Sequence, residues 1–365
     1  MNRIKNIDYL RACAIIYIIL YHCYVLSGEP WQAHFLIHEI LHMGGEVGVT
    51  LFFLLSGYGI YMSLYAQEKR GETIKWLAFM KKRCKRILPQ YYVCISVLII
   101  FMSAQLIGRD GIAHIIAYFT FTENLFVETH GSINGALWTM GAIMQFYLIA
   151  PFLYRGVRKK PVFSAIFSIV FTIVARIAAV HVIDALGTAS GSTYFVYERQ
   201  LFSALDNFVL GMVAAFLVER LVNGNGMMGK RKLQTGIVLS LAGIILLIAW
   251  ILFYSKDGTY GDDLVRYPAH SILAVVLMVI VLGFSLLPEM KARILKPVSF
   301  IAKNEYGIYL WHMPVIRMLM SNSPWFHTMS QKYFWMFAPA MIVITAVVGY
   351  FATYYIDRPR TSRKA

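Results

Sequence analysis

Apolar residues run along this chain in blocks of about twenty, separated by short polar segments. The blocks cover approximately 8–27, 46–65, 88–107, 137–154, 162–186, 201–221, 235–254, 268–287, 299–320 and 334–356. A helix rises about 1.5 Å per residue and the hydrocarbon core is about 30 Å thick, so each block is long enough to cross a bilayer. The pattern predicts an all-α, polytopic membrane protein with ten transmembrane helices. The stretch 112–127 is also apolar, but it is short and contains His114, Glu123 and Asn124. It reads as an interfacial or re-entrant element. If it spanned, the C-terminus would change sides.

Charge tests the count. The chain carries 34 Lys and Arg against 19 Asp and Glu, a net charge of +15. With the N-terminus in the cytoplasm, 25 of the basic residues fall on cytoplasmic segments, among them eight between Lys69 and Arg86, and five fall on outer loops. Arg11, Arg176, Lys303 and Arg317 lie within spans or at their ends. An alternating bias of this size follows the positive-inside rule and places both termini in the cytoplasm. The basic balance is thereby explained by topology, and no nucleic-acid partner is expected.

Composition agrees. Hydrophobic residues make up 58% and charged residues 15%, where a soluble domain carries roughly 25% charged. The first apolar block contains Arg11 and His22 and is followed by no small-residue cleavage site, so it reads as a retained helix rather than a signal peptide. Cys13, Cys23, Cys84 and Cys94 lie in or beside spans without metal-ligand spacing or a disulfide framework. Residues 1–365 read as one transmembrane domain with no appended soluble domain, in the cell membrane, with no metal.

Ionisable groups at membrane depth are costly and mark candidate chemistry. Arg11 and His22 are 11 residues apart, about 16 Å and three turns along one helix face. Arg11 is either an interfacial anchor or a ligand-binding group. His22, in the outer half, is a candidate general base, or a packing residue bonded to a neighbouring helix. His312 reaches similar depth on the ninth span, within Tyr306–Pro314, where it either lines a cavity or packs beside a proline kink. His34, His38, His42, His130 and His270 read as solvated outer-loop residues. Gly48, Ser56 and Gly57 suit close helix approach. Glu46, at the outer end of the second span, either meets His22 or is solvated, with solvation favoured. Arg83 and Arg86 sit three residues apart in a basic run, on one helical face, where guanidinium forks suit phosphate oxygens.

These residues together resemble the acyltransferase-3 family of membrane O-acyltransferases, which modify bacterial glycans and related molecules. The resemblance covers nearly the whole chain. It rests on Asp8-Tyr9-Leu10-Arg11 with His22; on Gly48-Val49-x-Leu51-Phe52-Phe53 and Ser56-Gly57-Tyr58; and on Arg83-x-x-Arg86-Ile87-x-Pro89-x-Tyr91. It continues through Leu137-Trp138-Thr139 with Gln145-Phe146-Tyr147-Leu148 and Pro151, and ends in Tyr306-Gly307-Ile308-Tyr309-Leu310-Trp311-His312-x-Pro314. The resemblance implies ten helices, a cytoplasmic acyl-CoA donor (acetyl-CoA) as co-substrate with no permanently bound cofactor, and a sugar or glycan hydroxyl as acceptor. It implies that His22 and Arg11 are catalytic, that Arg83 and Arg86 bind the donor, and that His312, Trp138 and Glu46 line the substrate site. One departure is that many glycan-acetylating members carry paired acids where this chain has Ile143 and Met144, a place Glu46 or Glu123 would have to fill.

The expected activity is therefore transfer of an acyl group from CoA to a hydroxyl, with His22 either removing the acceptor proton or briefly carrying the acyl group itself. A transporter or flippase, and a non-catalytic membrane partner in glycan synthesis, are the competing readings. A transporter more often shows paired, broken-helix repeats, which this chain lacks.

Overall fold

In the computed structural model, residues 5–102, 110–188, 190–223, 229–254, 263–289, 295–322 and 324–357 are described. Basic positions Arg3, Arg109, Lys256, Lys291, Arg293, Arg358, Arg360, Arg363 and Lys364 lie outside them. Within the described residues the chain is helical throughout: α1 (Lys5–Leu26), α2 (Phe35–His42), α3 (Gly44–Lys69), α4 (Trp76–Phe101), α5 (Gly111–Thr120), α6 (Trp138–Lys159), α7 (Pro161–Ala185), α8 (Gly191–Glu198), α9 (Leu205–Asn223), α10 (Lys230–Tyr254), α11 (Asp263–Leu286), α12 (Lys296–Lys303), α13 (Glu305–Asn322), α14 (Pro324–Lys332) and α15 (Phe334–Asp357).

A long helix stands at each of the ten apolar blocks. Seven helical stretches, built on α1, α2–α3, α4, α7, α10, α11 and α15, are both long and apolar enough to cross a membrane. The protein is a multi-pass membrane protein. The other three, α6, α9 and α13, have 22, 19 and 18 residues, but carry charged side chains such as Arg158, Glu219 and Glu305. Helix α9 shows why such a helix is tolerated. Residues 205–216 are all buried, enclosed by α3, α6, α7 and α11 rather than by lipid. Peripheral α7 and α10 instead expose rows of Val, Ile, Leu and Phe.

Two expected boundaries shift. The loop placed at 66–87 is short, because α4 begins at Trp76 and carries Lys81–Arg86 as helix. Lys and Arg are good helix formers, and their stems let a helix extend beyond the apolar slab. The block 299–320 is divided at Asn304 into α12 and α13. The stretch 112–127 gives the ten-residue α5, about 15 Å long and too short to span. It ends at Phe121 in a left-handed conformation (φ 58°), and the following residues turn into the bundle, where Glu123 and Asn124 are fully buried.

Close helix crossings hold the core. A Cβ on Gly57 would overlap the Phe208 carbonyl of α9, and one on Gly211 would overlap the Leu54 carbonyl of α3, so the two backbones touch through reciprocal glycines. Gly307 and Gly349 make the same reciprocal contact between α13 and α15. At the end where the basic residues gather, Arg158 donates to Glu219 (2.8 Å) and to Glu68 (3.0 Å). Tyr61 donates to Glu219 (2.7 Å) and Tyr154 to Glu68 (2.5 Å), clasping α3, α6 and α9 together.

Two outcomes follow. Single cysteines at Gly71 and Gln32, on a cysteine-free background, should label from opposite sides of the membrane, Gly71 from the cytoplasm; labelling of Gly71 from outside would reverse the orientation. Gly211→Ala should cost about 1–3 kcal/mol through overpacking. Gly156→Ala, at an open helical position, should leave the melting midpoint in detergent unchanged or slightly raised. Equal midpoints for the two variants would mean that the α3–α9 crossing is not the tight contact described.

Candidate functional site

Helix α1 runs past two cavities. The first, of about 500 Å³, opens at the basic end and is lined by Asp8 and Arg11 from α1, Lys69 from α3, Lys82, Arg83 and Arg86 from α4, Tyr147 from α6, and Glu305 from α13. The second, of about 630 Å³, lies at the opposite end and is lined by His22, Glu46, His130, Trp138, Arg176, Arg199, His270 and Arg317 among others. The 11-residue spacing of Arg11 and His22 thus places one residue in each cavity.

At the basic end the charges are only partly matched. Arg11 lies 3.4 Å from Asp8 and 3.9 Å from Glu305, and it donates to the Leu55 carbonyl at 3.4 Å. Glu305 also faces Arg86 at 3.9 Å, so one carboxylate sits between two guanidiniums. Arg83 is 7% exposed and is held by two rings, its Cζ lying 5.1 Å from the centre of Phe79 and 5.8 Å from that of Tyr147. Its Nε and one Nη are buried without a hydrogen-bond partner. Leaving a buried charged donor unmade is expensive, so a ligand with anionic oxygens fits here. Arg86 is mostly exposed beside it. Ile143 lines this cavity at the position where many glycan-acetylating members carry an acid, and Met144 packs against the core.

At the opposite end, no hydrogen bond engages the ring nitrogens of His22 among the described residues, and the ring faces the cavity. The His312 ring lies 5.2 Å from it, tilted by 37°, and is buried behind the cavity wall, with Nδ1 2.6 Å from the Tyr309 carbonyl and Nε2 unpartnered. Trp138 packs edge-on to Phe53 and carries Arg199 over its face at 4.9 Å. Burial lowers Arg199 to about 10, which leaves it cationic at neutral pH. Burial, with help from Arg199, holds His130 near about 4 and therefore neutral. Arg176 is buried, donates to the Ser203 carbonyl, and keeps one Nη unpartnered.

Three expectations are corrected here. Glu46 is not simply a solvated helix end: it lines the cavity, where its half-buried carboxylate pairs with His270 at 2.5 Å. His130 and His270 line the cavity rather than solvated loops, because the 121–137 segment and the start of α11 fold inward. Glu123 does not supply a cavity carboxylate either. It lines neither cavity, its oxygens approach the amides of Glu123 and Gly141 without a hydrogen bond of ordinary geometry, and burial pushes its carboxyl up to about 8.

Sequence reasoning missed Glu305 and Arg199 as parts of these walls. Arg176 and Arg317 had a signal, since both are arginines within spans. Tyr309 is buried between the two cavities. It stacks on Phe52 of the basic-end cavity at 5.3 Å, lies 5.4 Å from His312, and donates to the Ala136 carbonyl. Phe52, Tyr309, His312 and His22 form a continuous file of rings between the two chambers.

Comparison with known proteins places this architecture. The chain is 29% identical over 333 residues to the peptidoglycan O-acetyltransferase OatA of Listeria monocytogenes, covering 86% of this chain and 49% of that protein. It is 25% identical over 375 residues to the O-acetyltransferase OatA of Staphylococcus aureus, covering 98% of this chain and 57% of that protein. The chain thus spans about half the length of these curated relatives. No solved structure matches it. A family profile described as an acyltransferase domain matches residues 4–353, nearly the whole chain, and the chain therefore belongs to the acyltransferase-3 family.

Proposed function

We propose that this protein is an integral membrane O-acetyltransferase. It takes an acetyl group from acetyl-CoA at the basic-end cavity and delivers it to a sugar hydroxyl, of peptidoglycan or a related glycan, in the opposite cavity. The observation that carries the reading is the division of one helix between two chambers. Arg11 stands with a buried, under-bonded Arg83 in one, and an unengaged His22 in the other. The names of the relatives support the reaction and the acceptor class.

The residues divide the work by chemistry. Arg83, with Arg86 and Lys82 around it, meets the phosphates of CoA, because guanidinium forks match phosphate oxygens. Arg11, deeper along α1, receives the pantetheine arm of the donor. Arg11 and His22 are about 16 Å apart along α1, so the rings of Phe52, Tyr309 and His312 have to part for the thioester to reach His22. With the acyl carbonyl there, a ring nitrogen of His22 takes the proton from the acceptor hydroxyl as its oxygen attacks. The C–O ester bond forms, the C–S bond breaks, and His22 returns the proton to the departing thiolate. Trp138 offers a flat apolar face to a sugar ring. Arg199 and Arg317 supply donors for its oxygens. Glu46, engaged with His270, shapes the wall.

His22→Ala should lower acetyl transfer by about 10²- to 10⁴-fold, the usual loss for a general base, while the variant elutes as a folded protein in detergent. The measurement uses purified protein, labelled acetyl-CoA and a glycan acceptor. Turnover near that of the unmodified protein would overturn the assignment. A transporter would show no acylated product with either form.

Arg83→Ala should raise the KM for acetyl-CoA about tenfold or more, since a hydrogen bond to a charged group contributes about 1.5–3 kcal/mol. Arg86→Ala, removing an exposed charge, should raise it less and more strongly at low salt. Unchanged donor KM in both variants would show that the basic run serves topology alone.

A further inference from the structure

Beyond the two cavities, one cluster of side chains has no part in the reaction described above. Helix α2 carries His38 and His42 four residues apart, which places both imidazoles on one face; their ring centres are 5.3 Å apart and nearly parallel. Glu29 reaches the same face from the turn that closes α1. Its amide bonds back to the Tyr24 carbonyl (3.1 Å), and Gly28 and Glu29 both adopt positive φ (74° and 52°). The side chain is thereby turned over α2. The potential donor atoms of Glu29, His38 and His42 all lie within 4.8 Å of one another.

We propose that Glu29, His38 and His42 bind one divalent transition-metal ion, zinc by the character of the ligands, at the rim of the cavity that contains His22. This site does not depend on the reaction assigned to His22. Two imidazoles and one carboxylate are a ligand set zinc takes up with a fourth position left to water, whereas calcium and magnesium prefer all-oxygen sites. Donors around a tetrahedral zinc at about 2.0–2.1 Å stand roughly 3.3–3.5 Å apart. Here His42 Nδ1 lies 3.1 Å and His38 Nδ1 3.9 Å from the Glu29 carboxylate, so modest ring rotations bring all three to bonding distance. Among the described residues the ion pairs of Glu29 are with these two imidazoles alone, with no Lys or Arg holding the carboxylate.

The surroundings fit a ligand cage. The hydroxyl of Tyr24, a fully buried residue, lies 2.9 Å from His38 Nδ1 and holds the ring over the site until that nitrogen turns to the ion. Glu39 stands 4.0 Å from His38 Nε2 and adds negative charge beside the site. His42 also lines the His22 cavity, so the ion would tie the turn after α1 and the helix α2 to the mouth of that chamber. In the sequence the cluster leaves only the His38-x3-His42 spacing as a trace.

The test uses the full chain with a tag free of histidine, stripped by chelator, loaded with zinc and passed through gel filtration. One equivalent of zinc should remain, and Co²⁺ in its place should give the visible absorption of a tetrahedral site. His42→Gln and Glu29→Gln should each abolish stoichiometric retention while eluting at the volume of the unmodified protein. Tyr24→Phe, which keeps the ring volume and removes a hydroxyl that competes for His38 Nδ1, should still retain one equivalent of zinc. If the unmodified protein retains no zinc, the cluster is only a set of histidine–carboxylate ion pairs and the proposal fails. Full retention by a folded His38→Ala/His42→Ala double variant would place the metal elsewhere and equally overturn it.

Discussion

Hydrocarbon offers no hydrogen bonds, so each polar side chain held at membrane depth has to be answered from within the bundle. That constraint sorts the helices of this protein. Helices α7 and α10, whose exposed residues are mainly aliphatic and aromatic, stand at the periphery. Helix α9, with Asp206, Asn207 and Glu219, occupies the centre, where Ser271 donates to Asp206 (2.6 Å) and Arg158 and Tyr61 donate to Glu219. Reciprocal glycines bring α3 against α9 closely enough for a helix with three charged residues to be enclosed.

The same constraint makes the cavities informative. A buried Arg83 with two unanswered nitrogens, and a buried Arg176 with one, are the guanidiniums among the few buried polar groups left without a hydrogen-bond partner in the described residues. Exceptions of this kind concentrate where a ligand completes the bonding. The basic-end chamber has its exception beside Arg11 and Arg86, the opposite chamber beside Glu46 and His270. The ring file through Phe52, Tyr309 and His312 closes the gap between them without introducing further charge. Its one hydroxyl, on Tyr309, is satisfied by Thr139 and the Ala136 carbonyl.

Much of this was legible in the sequence, because length and hydropathy are local properties. Ten apolar blocks became ten long helices, and the short 112–127 stretch became a helix too brief to span. The basic run was legible as charge, and the Arg83–Arg86 spacing as one helical face, but not the extent of the helix: the apolar block begins at 88, whereas α4 begins at Trp76. Glu46 was misread for a related reason. A carboxylate at a helix end is solvated unless something distant covers it, and the covering group, His270, lies 224 residues further along the chain.

The sequence by itself determined which segments are long, apolar helices, where positive charge gathers along the chain, and that Arg11 and His22 share one face of α1, since helical pitch alone decides that. It did not determine that this face is shared between two chambers. That depends on where α3 and α13 cross α1 and on Phe52 and Tyr309, 257 positions apart, filling the space between. Tertiary packing likewise brought Arg199 over Trp138 and Glu29 beside His38 and His42. Pair geometry across separate helices is set by the bundle as a whole, and no local pattern of apolar and polar residues encodes it.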